Sequence, residues 1–207
     1  MKRLRFIFLF ALLSVAGATA GQRIDADSLR QFDLLFVVNP DGNAITESTT
    51  ARGQLPIDHV GYYDGGAVME ATTGKGVTRT ELADFVRHNR AKDGKAHILV
   101  GRIKTEVHLS ERLAKRFSEP IPYDSLYEPD DSAMYCSELV QKALVDKDGK
   151  QIFESIPMSF HDATGKILPY WTEFYRKHGR NVPEGEPGTN PGQLARSPQV
   201  RIIGWLK

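Results

Sequence analysis

The sequence predicts an α+β fold for this chain of 207 residues. Three observations point there. Short runs at 33–38, 59–63, 67–72, 97–103 and 200–206 have the length and the β-branched or aromatic content of strands. Helical periodicity occupies separate stretches, the clearest at about 132–146. Strands and helices do not follow the strict alternation that builds a parallel βαβ sheet.

Taken in order, Asp33-Leu34-Leu35-Phe36-Val37-Val38 is an uninterrupted apolar run, as in a strand buried on both faces, and Asn39-Pro40-Asp41-Gly42 closes it as a turn. Asn43 to Thr50 suits a short helix. Two strands follow, His59–Tyr63 and Ala67–Thr72, separated by Asp64-Gly65-Gly66. Thr78-x-x-Glu81 has the form of a capping box opening a helix with Leu82, Phe85 and Val86 on its apolar face. His97 to Ile103 is another strand, and Thr105 to Phe117 is expected to be helical, with Leu109, Leu113 and Phe117 on one stripe. The helix over about 132–146 ends at Asp148-Gly149, and a further short one is expected over Tyr170–His178. Residues 181–198 are rich in proline and glycine and predict a surface excursion without regular structure. Val200 to Leu206 closes the chain as a strand.

The N-terminus carries the parts of an export signal. Lys2, Arg3 and Arg5 precede the apolar stretch Phe6–Val15, and Ala18-Thr19-Ala20 supplies a small-x-small cleavage site. The apolar stretch is too short to span a bilayer of about 30 Å. Residues 1–20 are therefore expected to be removed, leaving an exported, periplasmic or secreted, single domain over 21–207 with no transmembrane segment. That cut takes away three basic residues and no acidic one, so 24 Lys and Arg face 26 Asp and Glu. Such balance argues against a nucleic-acid partner, which calls for a basic patch. The six histidines show no zinc-ligand spacing with one another or with a cysteine, and no phosphate-binding glycine loop is present, so neither metal nor cofactor is expected.

Against that background Cys136 is the most informative residue. It is the only cysteine of the chain, and an unpaired thiol in an oxidising compartment is better explained by reactivity than by packing. It lies near the start of a predicted helix, where the macrodipole favours an anion. The inert reading is that it shares the apolar stripe of Leu139, Val140, Ala143 and Leu144. The hairpin supplies possible companions. If Asp64-Gly65 forms a two-residue type I′ turn, Tyr63 pairs with Gly66, and counting back sets His59 opposite Glu70 on one face. A carboxylate beside an imidazole fixes its tautomer and favours its charged form. A three-residue loop would break that register. Cys136, His59 and Glu70 are thus the candidate nucleophile, base and orienting group. His161-Asp162 near Ser159 is the rival local pair, whereas His88, His97, His108 and His178 read as surface residues.

Four motifs in this order carry a resemblance: Ile57-Asp58-His59-Val60-Gly61-Tyr62, Val68-Met69-Glu70-Ala71, Pro122-Tyr123-Asp124 and Tyr135-Cys136-Ser137-Glu138-Leu139-Val140. The chain resembles the circularly permuted branch of the NlpC-type cysteine amidases, the YiiX/YaeF-like hydrolases related to lecithin retinol acyltransferase. The histidine strand precedes the cysteine helix, as in the permuted branch. The resemblance implies a papain-like fold, with a small antiparallel sheet packed on the cysteine helix. It also implies Cys136 as nucleophile, His59 as base, Glu70 as the third polar residue and Tyr123 as a residue lining the substrate site. Asp124 is expected to cap or brace, and Glu138 to be structural.

The reading that follows is an exported cysteine hydrolase of amide or ester bonds, working through an acyl-thioester without a cofactor. Its substrate would be a small molecule or peptide, either cell-wall derived or an N-acyl, lipid-type amide. The alternatives are an acyltransferase on the same scaffold and a binding module that keeps the pocket without turnover.

Overall fold

The computed structural model describes residues 21–207; the expected export signal at 1–20 lies outside them. Seven strands form the main sheet: β1 (Arg23–Ile24), β2 (Leu34–Val38), β3 (Ile57–Asp64), β4 (Ala67–Thr72), β5 (Gly76–Glu81), β6 (Ile98–Ile103) and the closing strand Val200–Leu206. Across the sheet they run β1, closing strand, β6, β2, β3, β4, β5. Neighbours are antiparallel except β1, which lies parallel to the closing strand. The sheet is larger than the small one the sequence suggested, because β1 and β5 join the five strands expected. All five residues of β2 are buried, which explains its continuous apolar run.

Both faces of the sheet are covered. On one, Leu34, Phe36, Val60 and Tyr62 pack with Leu139, Val140 and Ala143 of the cysteine helix α4 (Cys136–Ala143), which follows α1 (Ala44–Thr49), α2 (Leu82–His88) and α3 (Glu111–Arg116) in the chain. On the other face, Leu35, Val37, Val68 and Val100 pack with Phe85 of α2. A third, aromatic cluster joins Phe160 to Trp171 and Tyr175 of α5 (Pro169–Lys177). Among the described residues no helix is long and apolar enough to cross a membrane.

Several elements differ from the sequence reading. The hairpin turns at Gly65-Gly66, both at positive φ (57° and 102°), one residue later than Asp64-Gly65. Asp64 therefore ends β3 opposite Ala67, Tyr63 faces Val68, and Tyr62 faces Met69. The His59–Glu70 opposition inferred from the earlier turn does not hold as a register. Thr78 opens no capping box: Gly76–Glu81 pairs along the whole of β4, as its β-branched Val77, Thr78 and Thr80 favour, and α2 starts only at Leu82. The helix expected over Thr105–Phe117 shrinks to Glu111–Arg116, since His108–Leu109 pairs as a strand with Leu144–Val145. That pairing also ends the helix expected over 132–146 at Ala143; its start moves to Cys136 because Tyr135 is extended and the Met134 N–H donates to the Pro122 carbonyl. Within 181–198, Pro187–Gly188 pairs with Ile156–Pro157, and α6 (Pro191–Ala195) follows. Asn190 caps that helix by accepting the Gln193 N–H, with Pro191 at its first turn, so the proline-rich run starts a helix instead of staying irregular.

Candidate active site

Cys136 is the first residue of α4. Tyr135 before it is extended (φ −91°, ψ 170°), and its N–H donates to Glu138 Oε2 at 3.3 Å, which holds the chain at the point where it enters the helix. The N–H of Cys136 is among those with no intrahelical partner, and it faces the positive end of the helix dipole. The residue is free and buried, 4% exposed. Behind it, buried Glu138 binds Lys142 Nζ at 2.6 Å, and Lys142 also binds Asp131 Oδ1 at 2.7 Å. Burial raises the Glu138 carboxyl to about 7, against the opposing pull of Lys142.

His59 reaches the site from β3, where the register with β2 slips: Val37 faces His59, but Val38 faces Ile57. Asp58 is the extra residue of this bulge, a device that re-aims side chains beside functional sites. Its Oδ2 accepts hydrogen bonds from Asn39 Nδ2 (2.7 Å) and Asn43 Nδ2 (2.6 Å), so the bulge also holds the residue that caps α1.

The His59 Nε2 lies 2.7 Å from Glu70 Oε2. The contact that the wrong register suggested is nevertheless made. Carried one residue beyond Tyr62–Met69, the observed ladder sets Gly61 against Glu70, on the same face as His59. Glu70 therefore reaches the imidazole diagonally, over a position that has no side chain. Burial of His59 alone would lower its pKa. Hydrogen bonds that the ring donates to Cys136 and Glu70, and the negative charge of both, outweigh burial and raise it from 6.5 to about 10. Glu70, desolvated but bonded to His59, is held below the usual carboxylate range. With Nε2 on Glu70, the nitrogen left for Cys136 is Nδ1. Sulfur, imidazole and carboxylate thus form one connected line.

Tyr123 borders two openings that meet at this line. One is a narrow cleft of about 50 Å³ on the Cys136 side. The other is a polar groove on the His59 and Glu70 side that also meets Lys75, Thr80 and His88. Burial pushes the Tyr123 phenol well above its ordinary range, and it hydrogen-bonds with Tyr127. Asp124 braces this loop: its Oδ1 accepts the Leu126 N–H at 2.9 Å, while Tyr127 holds a left-handed backbone (φ 55°). Of the rival pair, His161 Nδ1 faces Glu184 at 3.1 Å instead of Asp162. His88, His108 and His178 are exposed and His97 is partly exposed. Among the described residues, no three His, Cys, Asp or Glu side chains gather in a way that could hold a metal.

Sequence reading missed the Asp58 bulge and the aromatic wall of the cleft. Phe160 and Trp171 come from separate elements whose meeting has no local signature. It also missed Thr189, Asn190 and Pro191, which line the cleft from the segment expected to be irregular.

A family described as permuted papain-like amidase enzymes, YaeF/YiiX, C92 family, matches residues 37–204. A crystal structure described as the metalloprotein YiiX from Escherichia coli O157:H7 is similar in fold, with a TM-score of 0.61. It is 22% identical in sequence, over 84% of this chain and 96% of that one. No curated protein matches the chain. The family match covers most of the chain and spans the strand of His59 and the helix of Cys136, so the protein belongs to the permuted papain-like amidases and is an enzyme of the cysteine amidase or peptidase type.

Proposed function

We propose that the protein is an exported hydrolase of amide or ester bonds, with Cys136 as nucleophile, His59 as acid and base, and Glu70 as the residue that orients His59. The observation that carries this reading is the placement of one imidazole between a carboxylate at 2.7 Å and the chain's single thiol. In the first half-reaction the sulfur attacks the carbonyl carbon, and the N–H of Cys136 donates to the developing oxyanion. The C–N bond breaks as His59 gives its proton to the leaving nitrogen. Water then attacks the thioester, gives a proton to His59 and releases the acid. Glu70 keeps the ring oriented and compensates its charge throughout. Tyr123, between cleft and groove, lines the path of the scissile bond.

Trapping tests this assignment. Mature protein treated with an activated acetyl ester gains one acetyl group on Cys136, seen by intact-mass and peptide analysis, and Cys136→Ala gains none. His59→Ala slows the acylation by at least about 10²-fold. Acylation that persists in Cys136→Ala would remove the assignment. Export is tested separately: the secreted or periplasmic chain begins at Gly21.

A further inference from the structure

The two openings divide the catalytic line between them. The cleft borders Cys136 but not His59, and the groove borders His59 and Glu70 but not Cys136. His59 is the group that gives its proton to the leaving atom, so the leaving portion of the substrate departs on the groove side. The groove holds about 360 Å³. At about 30 Å³ for each water that is room for a group the size of an amino acid.

The border of the groove offers positive charge that nothing on the protein answers. Glu70 is the only acidic residue on it, and His59 Nε2 at 2.7 Å already takes up that carboxylate. Lys75 and His88 stand on the same border, and among the described residues neither has an ion-pair or side-chain hydrogen-bond partner. Other cations of the sheet are paired, Arg79 with Asp64 and Arg102 with Asp33. Nor does Lys75 sit on a loose tip. Its N–H donates to the Thr72 carbonyl at 3.2 Å, and the Val77 N–H donates to the Ile121 carbonyl at 2.8 Å. Gly76, between Lys75 and Val77, has φ 69°, and a Cβ there would lie 3.0 Å from Pro122 Cα. The β4–β5 turn is thus clamped to the segment that leads into Tyr123, which fixes the Lys75 backbone beside the groove. Thr72 and Thr73 add hydroxyls to the same border.

Resting on the hydrolase reading above, we propose that the leaving amine or alcohol carries an anionic group, a carboxylate or a phosphate, and that Lys75 and His88 bind this group in the groove. Lysine takes either anion, because its ammonium is a point charge without the planar fork of arginine. The first product, an amine or alcohol that has gained the His59 proton and still bears its anion, is released from the groove. The acyl part stays on Cys136 until water arrives.

The test uses acetyl esters that share the acyl group and differ in the charge of the phenol released: 3-hydroxybenzoate, 3-hydroxyphenyl phosphate, the neutral 3-hydroxybenzamide and the cationic 3-hydroxyphenyltrimethylammonium. Each kcat/KM is divided by the rate of the same ester with free imidazole, which removes differences in leaving-group reactivity, and acetyl-Cys136 is read by intact mass. At low salt an anionic ester is expected to exceed the neutral one by at least about fourfold, the change that one unit charge about 5 Å away brings through water. The cationic ester falls below the neutral one, and high salt shrinks both differences. Lys75→Glu reverses the order, Lys75→Arg keeps it, and His88→Gln reduces the anionic-to-neutral ratio. These ratios are internal to each preparation, so partial unfolding does not imitate them, and a Lys75 with a merely structural role would leave them unmoved. A faster carboxylate ester supports an amino-acid leaving portion, and a faster phosphate ester a phosphorylated one. Anionic esters no faster than the neutral one, or a Lys75→Glu variant with the wild-type order, overturn the anion site while acetyl-Cys136 still forms and the hydrolase stands. No acetyl-Cys136 from any ester overturns both.

Discussion

Glu70 meets His59 at 2.7 Å because Gly61 stands between them with no side chain. A Cβ built at Gly61 would lie 2.5 Å from Val68 Cγ1, 2.8 Å from the Met69 carbonyl and 3.3 Å from Glu70 Cβ. Gly61→Ala is therefore expected to push β4 away, destabilise the fold by about 1–3 kcal/mol and separate the two side chains. Urea unfolding reads the first effect. A drop in kcat/KM larger than the fraction unfolded reads the second.

Glu70→Gln keeps a hydrogen-bonding group but removes the charge. The expected loss in kcat/KM is about 10²-fold. The pH profile separates this from a folding defect. His59 holds its proton to about pH 10 with Glu70 in place, so activity that depends on the imidazolium falls as pH rises through that value. Without the carboxylate the alkaline limb moves to lower pH.

Stability carries the same signature. The folded pKa of His59 lies above its unfolded value of 6.5, so the stability this pairing contributes is fully present below pH 6.5 and is lost as pH rises through about 10. Chemical denaturation between pH 6 and 10 should show that decline in the wild type and a shallower one in Glu70→Gln.

Glu138 acts in a lower window. Its carboxyl is raised from 4.5 to about 7, so the native state holds that proton more tightly than the unfolded chain does. Its contribution is present below pH 4.5 and is lost as pH rises through about 7. Glu138→Gln retains an acceptor for the Tyr135 N–H and should flatten stability across that range, as measured by unfolding at several pH values.

Tyr135→Phe tests the wall of the cleft. The phenol accepts the Thr189 N–H at 3.0 Å across 54 residues of sequence. Its removal should cost about 0.5–1.5 kcal/mol and raise KM more than it lowers kcat, because it loosens residues 189–191 without touching the sulfur.

The central strands were legible because a fully apolar run such as 34–38 has few ways to be buried, and Val200–Leu206 was found at its observed bounds. The His59–Glu70 contact was reached by a faulty count. The true turn displaces the ladder, but the displacement preserves the alternation of faces, so both side chains stay together while the reason changes. Thr78 and Glu81 fit a capping box and an edge strand equally well, and only pairing with β4 decides between them. The helices predicted at 105–117 and 132–146 were cut, at the start of the first and the end of the second, by the same two-residue ribbon, a contact about 35 residues apart in sequence that no local pattern announces. The aromatic wall was illegible for the same reason.

The closing strand lies inside the sheet, between β1 and β6, although it is the last strand of the described residues. A chain cut short before Val200 would present β6 with bare amide and carbonyl groups along one side, an invitation to pair with other chains. It would also leave β1 without its neighbour. A cut earlier still, before Pro187, would remove Thr189, Asn190 and Pro191 from the wall of the cleft beside Cys136. Tail loss would therefore open the cleft beside Cys136 and an adhesive edge in the same event, so fragments are expected to aggregate instead of persisting with an unguarded thiol.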